Sequence, residues 1–420
     1  MAMNWLPSFG KKASRLASLE LFRYLGPSFF ITVGFIDPGN WVTNVAAGSQ
    51  YGYALLWVVT LSTVILILVQ HNAAHLGIVT GLCLSEAAAK FFKPWTCRLL
   101  LGSAMLACVS TALAEVLGAA IGLKMLTGLP LPAGATLAAG FAAWMLFSKN
   151  HQRLERWIIG FVSLIGIAFL CELWLTKLSW AATLSGWVEP VFPPGALPVI
   201  MGVLGAVVMP HNIFLHSEVI QSRQWHTQGE TTIRSRLDYE LYDTLVGMGV
   251  GWAINSAMIV MAAAVFFNHG IIVSELPQVT RTLTPLFGRL SSVIFSLGLV
   301  FAGLSSSVTA ALAGGSVFAG IFHEPYDIGD PHSRAGLLLT LVGALVCILP
   351  LADPFTGILW SQVVLSLQLP FTMIPLILLT SSRKVMGAYA NSRRNVFSLW
   401  LVSGVVIVLN LALLAEMLTG

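Results

Sequence analysis

The sequence predicts an all-α membrane protein built from about eleven transmembrane helices. Of its 420 residues, 56% are hydrophobic and only 10% are charged, and the mean hydropathy is +0.83. A soluble domain has about a quarter charged residues, so this composition excludes an ordinary soluble protein. Two polar interruptions, Asp-Pro-Gly-Asn at residues 37–40 and Met-Pro-His-Asn at residues 209–212, divide otherwise apolar segments. These observations together predict a membrane bundle in which two helices are broken.

Eleven apolar segments follow one another along the chain, each of about 17 residues or more, which suffices for a helix to cross the hydrocarbon. They lie near residues 24–49, 53–76, 98–123, 131–148, 157–176, 195–220, 241–268, 285–322, 335–352, 356–380 and 395–418. The longest polar stretch, residues 221–238, is short enough to be a loop. We therefore expect residues 1–420 to form a single transmembrane domain.

The positions of the two breaks predict an internal repeat. If segments one to five and six to ten form two units, each break falls in the first helix of its unit. An odd number of spans per unit gives the second unit inverted topology. This is the architecture of secondary transporters with broken helices, in which the substrate site lies near the bilayer midplane. The predicted units are residues 24–176, residues 195–380 and one additional helix at residues 395–418.

The basic residues predict the orientation of the chain in the cytoplasmic membrane. With the N-terminus in the cytoplasm, only Lys124, Lys177, Arg281 and Arg289 fall on the outer side, which leaves 18 of the 22 Lys and Arg residues inside. Such a bias is typical of cytoplasmic loops, and an odd number of spans then puts the C-terminus outside. The basic residues form no long run, so we do not expect nucleic-acid binding.

The first break places a carboxylate inside a span. Asp37 at this depth costs about 3 kcal/mol to insert, which favours a functional role facing a cavity or a partner. Pro38 lacks a backbone donor and Gly39 relaxes the chain, so carbonyls around Asp37 and Asn40 become free to coordinate. The alternative is that Asp37 only caps the half-helix that follows.

The second break adds a sulfur and a carbonyl. Pro210 leaves the carbonyl of Ala206, four residues earlier, without its helical donor. The Met209 thioether is a poor ligand for Mg²⁺ or Ca²⁺ but suits softer transition metals, although Met in an apolar helix is usually packing. Its position beside a proline break opposite an aspartate favours a ligand. The sequence thus predicts a site for a divalent cation between the breaks, to which Gln362 of the tenth span can add an amide oxygen.

Several titratable side chains lie within or beside the spans. Glu115 in the third span suits a proton path or a pairing with a cation. His211 suits a proton relay, although an interhelical hydrogen bond is equally compatible, and for His216 such a bond is the favoured interpretation. His71 and His75 are four residues apart, a spacing that can chelate a metal, but no carboxylate accompanies them and packing is favoured.

With these motifs the chain resembles the Nramp family of proton-coupled divalent-metal transporters over nearly its whole length. The matching stretches include Gly-Phe-Ile-Asp-Pro-Gly-Asn-Trp at residues 34–41 and residues 46–57, 76–81, 209–212, 305–309 and 361–366. The resemblance implies a LeuT-like fold, in which helices 1–5 and 6–10 form an inverted repeat and helices 1 and 6 are broken. It implies import of Mn²⁺, Fe²⁺ and similar ions coupled to protons, with no enzymatic activity and no cofactor beyond the transported metal.

The resemblance also assigns roles to residues. The implied metal ligands are Asp37, Asn40, the Ala206 carbonyl and Met209, with Gln362 in some states. The implied proton pathway comprises Asp37, Glu115, His211 and Arg334. Many family members carry a second acid three residues before the match to Glu115, whereas this chain has Ala112. Because of this departure, a metal uniporter with weak or no proton coupling remains an alternative function.

Three other functions remain as alternatives. A carrier of amino acids or organic cations on the same fold would have no need for the thioether. A passive metal channel is not excluded by the sequence. An intramembrane metalloenzyme would require clustered ligands such as HExxH, a pattern that the sequence lacks.

Overall fold

The computed structural model describes residues 36–148, 160, 163–173, 176, 178–228, 230–284 and 288–419, and in these ranges no residue lies in a strand. The α-helices, numbered in chain order, are α1 (Pro38–Tyr51), α2 (Leu56–Thr80), α3 (Leu84–Phe91), α4 (Pro94–Thr127), α5 (Leu131–Phe147), α6 (Ser163–Leu173), α7 (Trp180–Val188), α8 (Leu197–Val207), α9 (Pro210–Ser222), α10 (Glu230–Val265), α11 (Ser291–Ile321), α12 (Pro331–Ile348), α13 (Pro354–Ser381), α14 (Arg383–Met386) and α15 (Arg393–Thr419). The predicted all-α class is confirmed.

Each predicted span coincides with a helix where the chain is described. Eight helical segments of the described residues are long and apolar enough to cross a membrane: Leu56–Thr80, Pro94–Thr127, Leu197–Thr227, Ile233–His269, Gly288–Ile321, Pro331–Ile348, Pro354–Ser381 and Arg393–Thr419. The fourth and fifth predicted spans correspond to the shorter apolar helices α5 and α6. Residues 24–35 of the first span, parts of the fifth, the basic N-terminal segment and Lys177 lie outside the described residues.

The polar stretch at residues 221–238 is not a plain loop. It contains a short 3-10 turn, Trp225–Gln228, and from Glu230 onward it already belongs to α10. The hydropathy of the sequence placed the start of this span at residue 241. A helix can continue past the apolar part of its sequence, because its polar turns stay hydrogen-bonded without needing lipid around them.

Both predicted breaks are present, and proline begins the half-helix after each one. α8 ends at Val207 and α9 begins at Pro210, with Met209 extended between them (φ −75°, ψ 118°). Asp37 is likewise extended (φ −78°, ψ 162°) and directly precedes Pro38, the first residue of α1. The first helical position needs no N–H donor, so proline fits there.

Glycines allow the helices around the breaks to approach closely, as is common where membrane helices pack. A Cβ atom built on Gly205 of α8 would lie 1.9 Å from the carbonyl oxygen of Gln362 in α13. One built on Gly303 of α11 would lie 2.4 Å from the carbonyl oxygen of Glu115 in α4. The Gly205 contact holds the second break against α13, and the Gly303 contact packs α11 closely on α4 beside Glu115. Side chains of α4 and α13 complete the site described next.

Candidate metal site

Asp37 is fixed by the half-helix that it precedes. Its Oδ1 atom accepts hydrogen bonds from the backbone N–H of Asn40 at 2.6 Å and from the Asn40 Nδ2 at 2.9 Å. Asp37 is thus an N-cap of α1, which is the alternative that the sequence left open. Capping does not exclude ligation, because an ionised carboxylate has about four acceptor positions on two oxygens. The cap fixes the carboxylate at the break.

Asn40 connects the two breaks. The same Nδ2 group that contacts Asp37 also donates to the carbonyl oxygen of Ala206 at 3.1 Å. That carbonyl needs another donor, because Pro210 has no N–H to offer it. One buried amide thereby brings a carboxylate from the first break and a carbonyl from the second to the same place.

Gln362 of α13 contacts both breaks. A Cβ atom on Gly39 would lie 2.6 Å from its Nε2 and 3.1 Å from its Oε1, so the side-chain amide lies directly against the first break. Its own backbone carbonyl lies against Gly205, next to Ala206. The Nε2 atom donates to the hydroxyl of Ser361 at 3.1 Å. The predicted amide oxygen of the tenth span is therefore beside the site.

Met209 lies on the second break, three residues after Ala206. It packs with Ala107 and Leu365, and its sulfur accepts a hydrogen bond from Asn212 Nδ2 at 3.3 Å. The four side chains of the predicted ligand set are all closed to solvent, with exposures of 2% for Asp37, 0% for Asn40, 3% for Met209 and 1% for Gln362. Oxygen and sulfur atoms in such a dry place could replace the water shell of a cation.

One face of α4 lies along the breaks. Thr111 Oγ1 is 3.0 Å from Nδ1 of His211, so this histidine makes an interhelical hydrogen bond. Glu115, four residues later, is 1% exposed, and neither carboxylate oxygen makes a hydrogen bond of normal geometry within the described residues, although the Ser306 hydroxyl is close. The Glu115 carboxylate is within electrostatic reach of Asp37. Two buried acids thus lie near one another at the break.

The other residues that the resemblance connects with protons lie elsewhere. Ala112 packs with Ala310 and Ala344 in an apolar cluster. Arg334 is exposed at the start of α12, where its Nε donates to the carbonyl of Ile328 at 2.8 Å. The structure therefore brings Glu115 and His211 to the breaks but does not bring Arg334 to them.

Two residues of the site were missed in the sequence. Thr111 carries no charge, and its contact with His211 depends on how α4 and α9 pack. Gly118 lies where a Cβ atom would be 2.2 Å from Pro38, and it could have been noticed because Gly118 and Gly122 form a small-xxx-small pattern typical of close membrane helices.

Comparisons with a family model and with known proteins point to the same family. The family described as natural resistance-associated macrophage protein-like (Nramp) matches residues 28–416. A protein named divalent metal cation transporter MntH from Bradyrhizobium diazoefficiens is 37% identical over 413 residues, covering 96% of this chain and 91% of the relative. The Bacillus subtilis protein of the same name is 36% identical over 403 residues, covering 94% and 92%.

Solved structures agree at the level of the fold. A manganese transporter of Eremococcus coleocola superposes with a TM-score of 0.77 at 24% identity, covering 96% of this chain and 88% of that one. Mhp1, a nucleobase-cation-symport-1 family transporter, superposes with a TM-score of 0.58 at 18% identity, covering 89% and 81%. The predicted transporter fold with broken helices is confirmed, and the chain belongs to the Nramp family.

Proposed function

We propose that this protein is a secondary transporter that imports divalent transition-metal ions, Mn²⁺, Fe²⁺ and similar, across the cytoplasmic membrane together with protons. The observation that carries the proposal is the Asn40 amide, which holds the Asp37 carboxylate and the Ala206 carbonyl together between the two breaks. The names of the relatives, which are transporters rather than enzymes, support it.

Each proposed ligand has a distinct role. Asp37 offsets part of the ion's charge in a place without water. Asn40 and the Ala206 carbonyl supply neutral oxygens, and Gln362 adds an amide oxygen in some states of the cycle. Met209 supplies the sulfur that favours transition metals over Mg²⁺ and Ca²⁺. The ion is released when the two breaks separate towards the cytoplasm.

The proposal includes the topology that the sequence predicts. Residues 24–176 and 195–380 form the two inverted repeats and residues 395–418 an extra span. The N-terminus is cytoplasmic and the C-terminus lies outside. In this arrangement the half-helix α1 lies towards the outer side of the membrane and α9 towards the inner side.

The selectivity role of Met209 can be tested by replacing it with alanine. We expect Met209→Ala proteoliposomes to retain part of their Mn²⁺ uptake while Ca²⁺ or Mg²⁺ competes better, because the ligand that disfavours hard ions is gone. Met373→Ala is the matched control, since this buried methionine of α13 lies eleven residues beyond Gln362 and its loss removes the same volume. Unchanged competition in the Met209 variant would defeat the selectivity role.

Proton coupling can be tested with a pH dye inside the liposomes. We propose that Asp37, Glu115 and His211 carry the proton and that Arg334 lies at its exit to the cytoplasm. Mn²⁺ entry should then acidify the lumen, and Glu115→Gln should reduce this acidification more than it reduces metal uptake, because glutamine keeps the shape of the side chain but binds no proton. Equal losses of both fluxes would contradict a proton role for Glu115.

A second candidate, metal uniport with weak or no proton coupling, is favoured by one observation. At the position where the resemblance implies a second acid, this chain has Ala112, which packs with Ala310 and Ala344 and whose own side chain cannot bind a proton. Mn²⁺ uptake without any luminal acidification in the unmodified protein would support this candidate. Calorimetric titration with Mn²⁺ and with amino acids distinguishes both from an organic-solute carrier.

A further inference from the structure

A buried carboxylate away from the metal site is shared by two histidines. Glu240 of α10 is 5% exposed, and its Oε2 contacts Nδ1 of His71 in α2. Its Oε1 lies 3.4 Å from Nε2 of His216 in α9 and accepts the hydroxyl of Thr244 at 2.7 Å. His71 is 3% exposed and His216 is 1% exposed. These four side chains, called the Glu240 cluster below, join three helices.

Other titratable groups lie around the cluster. His75 lies one turn further along α2 and is 1% exposed. Asp238, an exposed residue of α10, is within electrostatic reach of His71.

Of the other elements that pack against α2, α7, α8 and α13 contain no charged residue. The titratable residues of the remaining elements packed against α2 are Glu86 and Lys90 of α3, His226 of the 3-10 turn, Arg383 and Lys384 of α14, and Arg393, Arg394 and Glu416 of α15. Arg236 and Asp243 lie one turn from Glu240 on α10 and are within electrostatic reach of Arg223. Among the described residues, the Glu240 carboxylate contacts His71, His216 and Thr244, and neither lysine nor arginine is among these contacts.

The charge of Glu240 needs compensation. An ionised carboxylate removed from water is strongly unfavourable unless a positive charge accompanies it. A neutral imidazole can donate one hydrogen bond but brings no charge, whereas a protonated one brings both. If one of the two histidines binds a proton, the cluster becomes neutral and every hydrogen bond to Glu240 is kept. The closed cluster therefore favours one bound proton.

We propose that Glu240, His71 and His216 form a proton-binding site whose proton fastens the half-helix α9 to α2 and α10. α9 begins at the second break, so any movement that opens this break carries His216 away from Glu240. Proton binding and the closed position of α9 then favour each other, since such coupling is reciprocal. At low pH the cluster is protonated and α9 is held. As the pH rises the proton is lost, the carboxylate is left uncompensated and α9 loosens.

Hydrogen exchange of the metal-free, full-length protein tests this without relying on transport. Exchange is measured by mass spectrometry at about pH 5.5 and about pH 8, on either side of ordinary imidazole titration, with labelling times scaled to the intrinsic rates. In the unmodified protein, residues 210–222 should be more protected at the lower pH. In Glu240→Gln, which keeps a hydrogen-bonding side chain without the charge, this pH difference should be lost.

Two further variants complete the test. His71→Asn, which changes a different helix, should also lose the pH difference, so a folding failure of either variant leaves the other to decide. His332→Asn is the control, because His332 pairs with Glu324 at 2.8 Å in a solvent-exposed position and should leave the difference intact. A pH difference of full size in Glu240→Gln or His71→Asn would overturn the proposal, as would its absence from the unmodified protein. Neither outcome depends on whether the metal site is assigned correctly.

Discussion

Replacing Gly205 with alanine is expected to push α8 away from α13 and to disable metal binding. The added Cβ would lie 1.9 Å from the carbonyl oxygen of Gln362 and 2.9 Å from the backbone nitrogen of Ser366. These are backbone atoms of a helix, so they cannot turn aside as a flexible side chain would. Overpacking usually costs about 1–3 kcal/mol, and a backbone contact this short belongs at the upper end. Thermal unfolding in detergent should show a clearly lower midpoint.

The same displacement reaches the proposed ligands. Ala206 follows Gly205 directly, and Gln362 is the residue that is pushed, so both oxygens move relative to Asp37. Each loss of about 1.4 kcal/mol in binding weakens affinity tenfold, and we expect at least that loss for Mn²⁺ in calorimetry. Gly404→Ala is the control, because a Cβ on this helical glycine of α15 meets nothing within 4 Å and alanine is the better helix former by about 1 kcal/mol. Equal stability and affinity in the two variants would contradict the packing argument.

The sequence predicts those features of the fold that depend on local chemistry. Lipid offers no hydrogen-bond partners, so the backbone groups of a long apolar segment must pair with each other, and a helix achieves this. The helices are found where these segments lie. The breaks were predictable because Pro38 and Pro210 cannot donate a hydrogen bond. The helix ends were less predictable, because a hydropathy pattern does not detect polar first turns such as those of α10.

Contacts between spans that are far apart in the chain could not be predicted from the sequence. The freed carbonyl of Ala206 follows from Pro210 alone, but its contact with Asn40 requires the two breaks to meet. The pairing of His71 with Glu240 was missed for a related reason. No carboxylate lies near His71 in the sequence, and Glu240 falls just before the apolar part of its helix, so only the packing of α2 against α10 brings them together.

Replacing Asp37 with asparagine is expected to abolish high-affinity metal binding while leaving the fold intact. Asparagine is as good an N-cap as aspartate, so its side-chain oxygen can still accept the Asn40 N–H that Asp37 accepts at 2.6 Å. The change therefore removes the negative charge and little else. Removing one partner of a buried ion pair costs about 3–5 kcal/mol, which corresponds to a loss of affinity of more than about a hundredfold. Calorimetric titration with Mn²⁺ measures this loss directly.

A second aspartate of the chain supplies the control for this change. Asp353 caps α13 in the same way, accepting the backbone N–H groups of Phe355 at 3.0 Å and Thr356 at 3.3 Å, but it is exposed to solvent. Asp353→Asn makes the same chemical replacement at a helix N-terminus outside the site, so Mn²⁺ affinity should stay within about threefold of the unmodified protein, or about 0.7 kcal/mol. If both variants bound Mn²⁺ as well as the unmodified protein, Asp37 would be a cap and nothing more. A loss of Mn²⁺ affinity in Asp37→Asn alone, with both variants unfolding at similar temperatures, would instead show that the charge of Asp37 binds the metal independently of its role as the N-cap of α1.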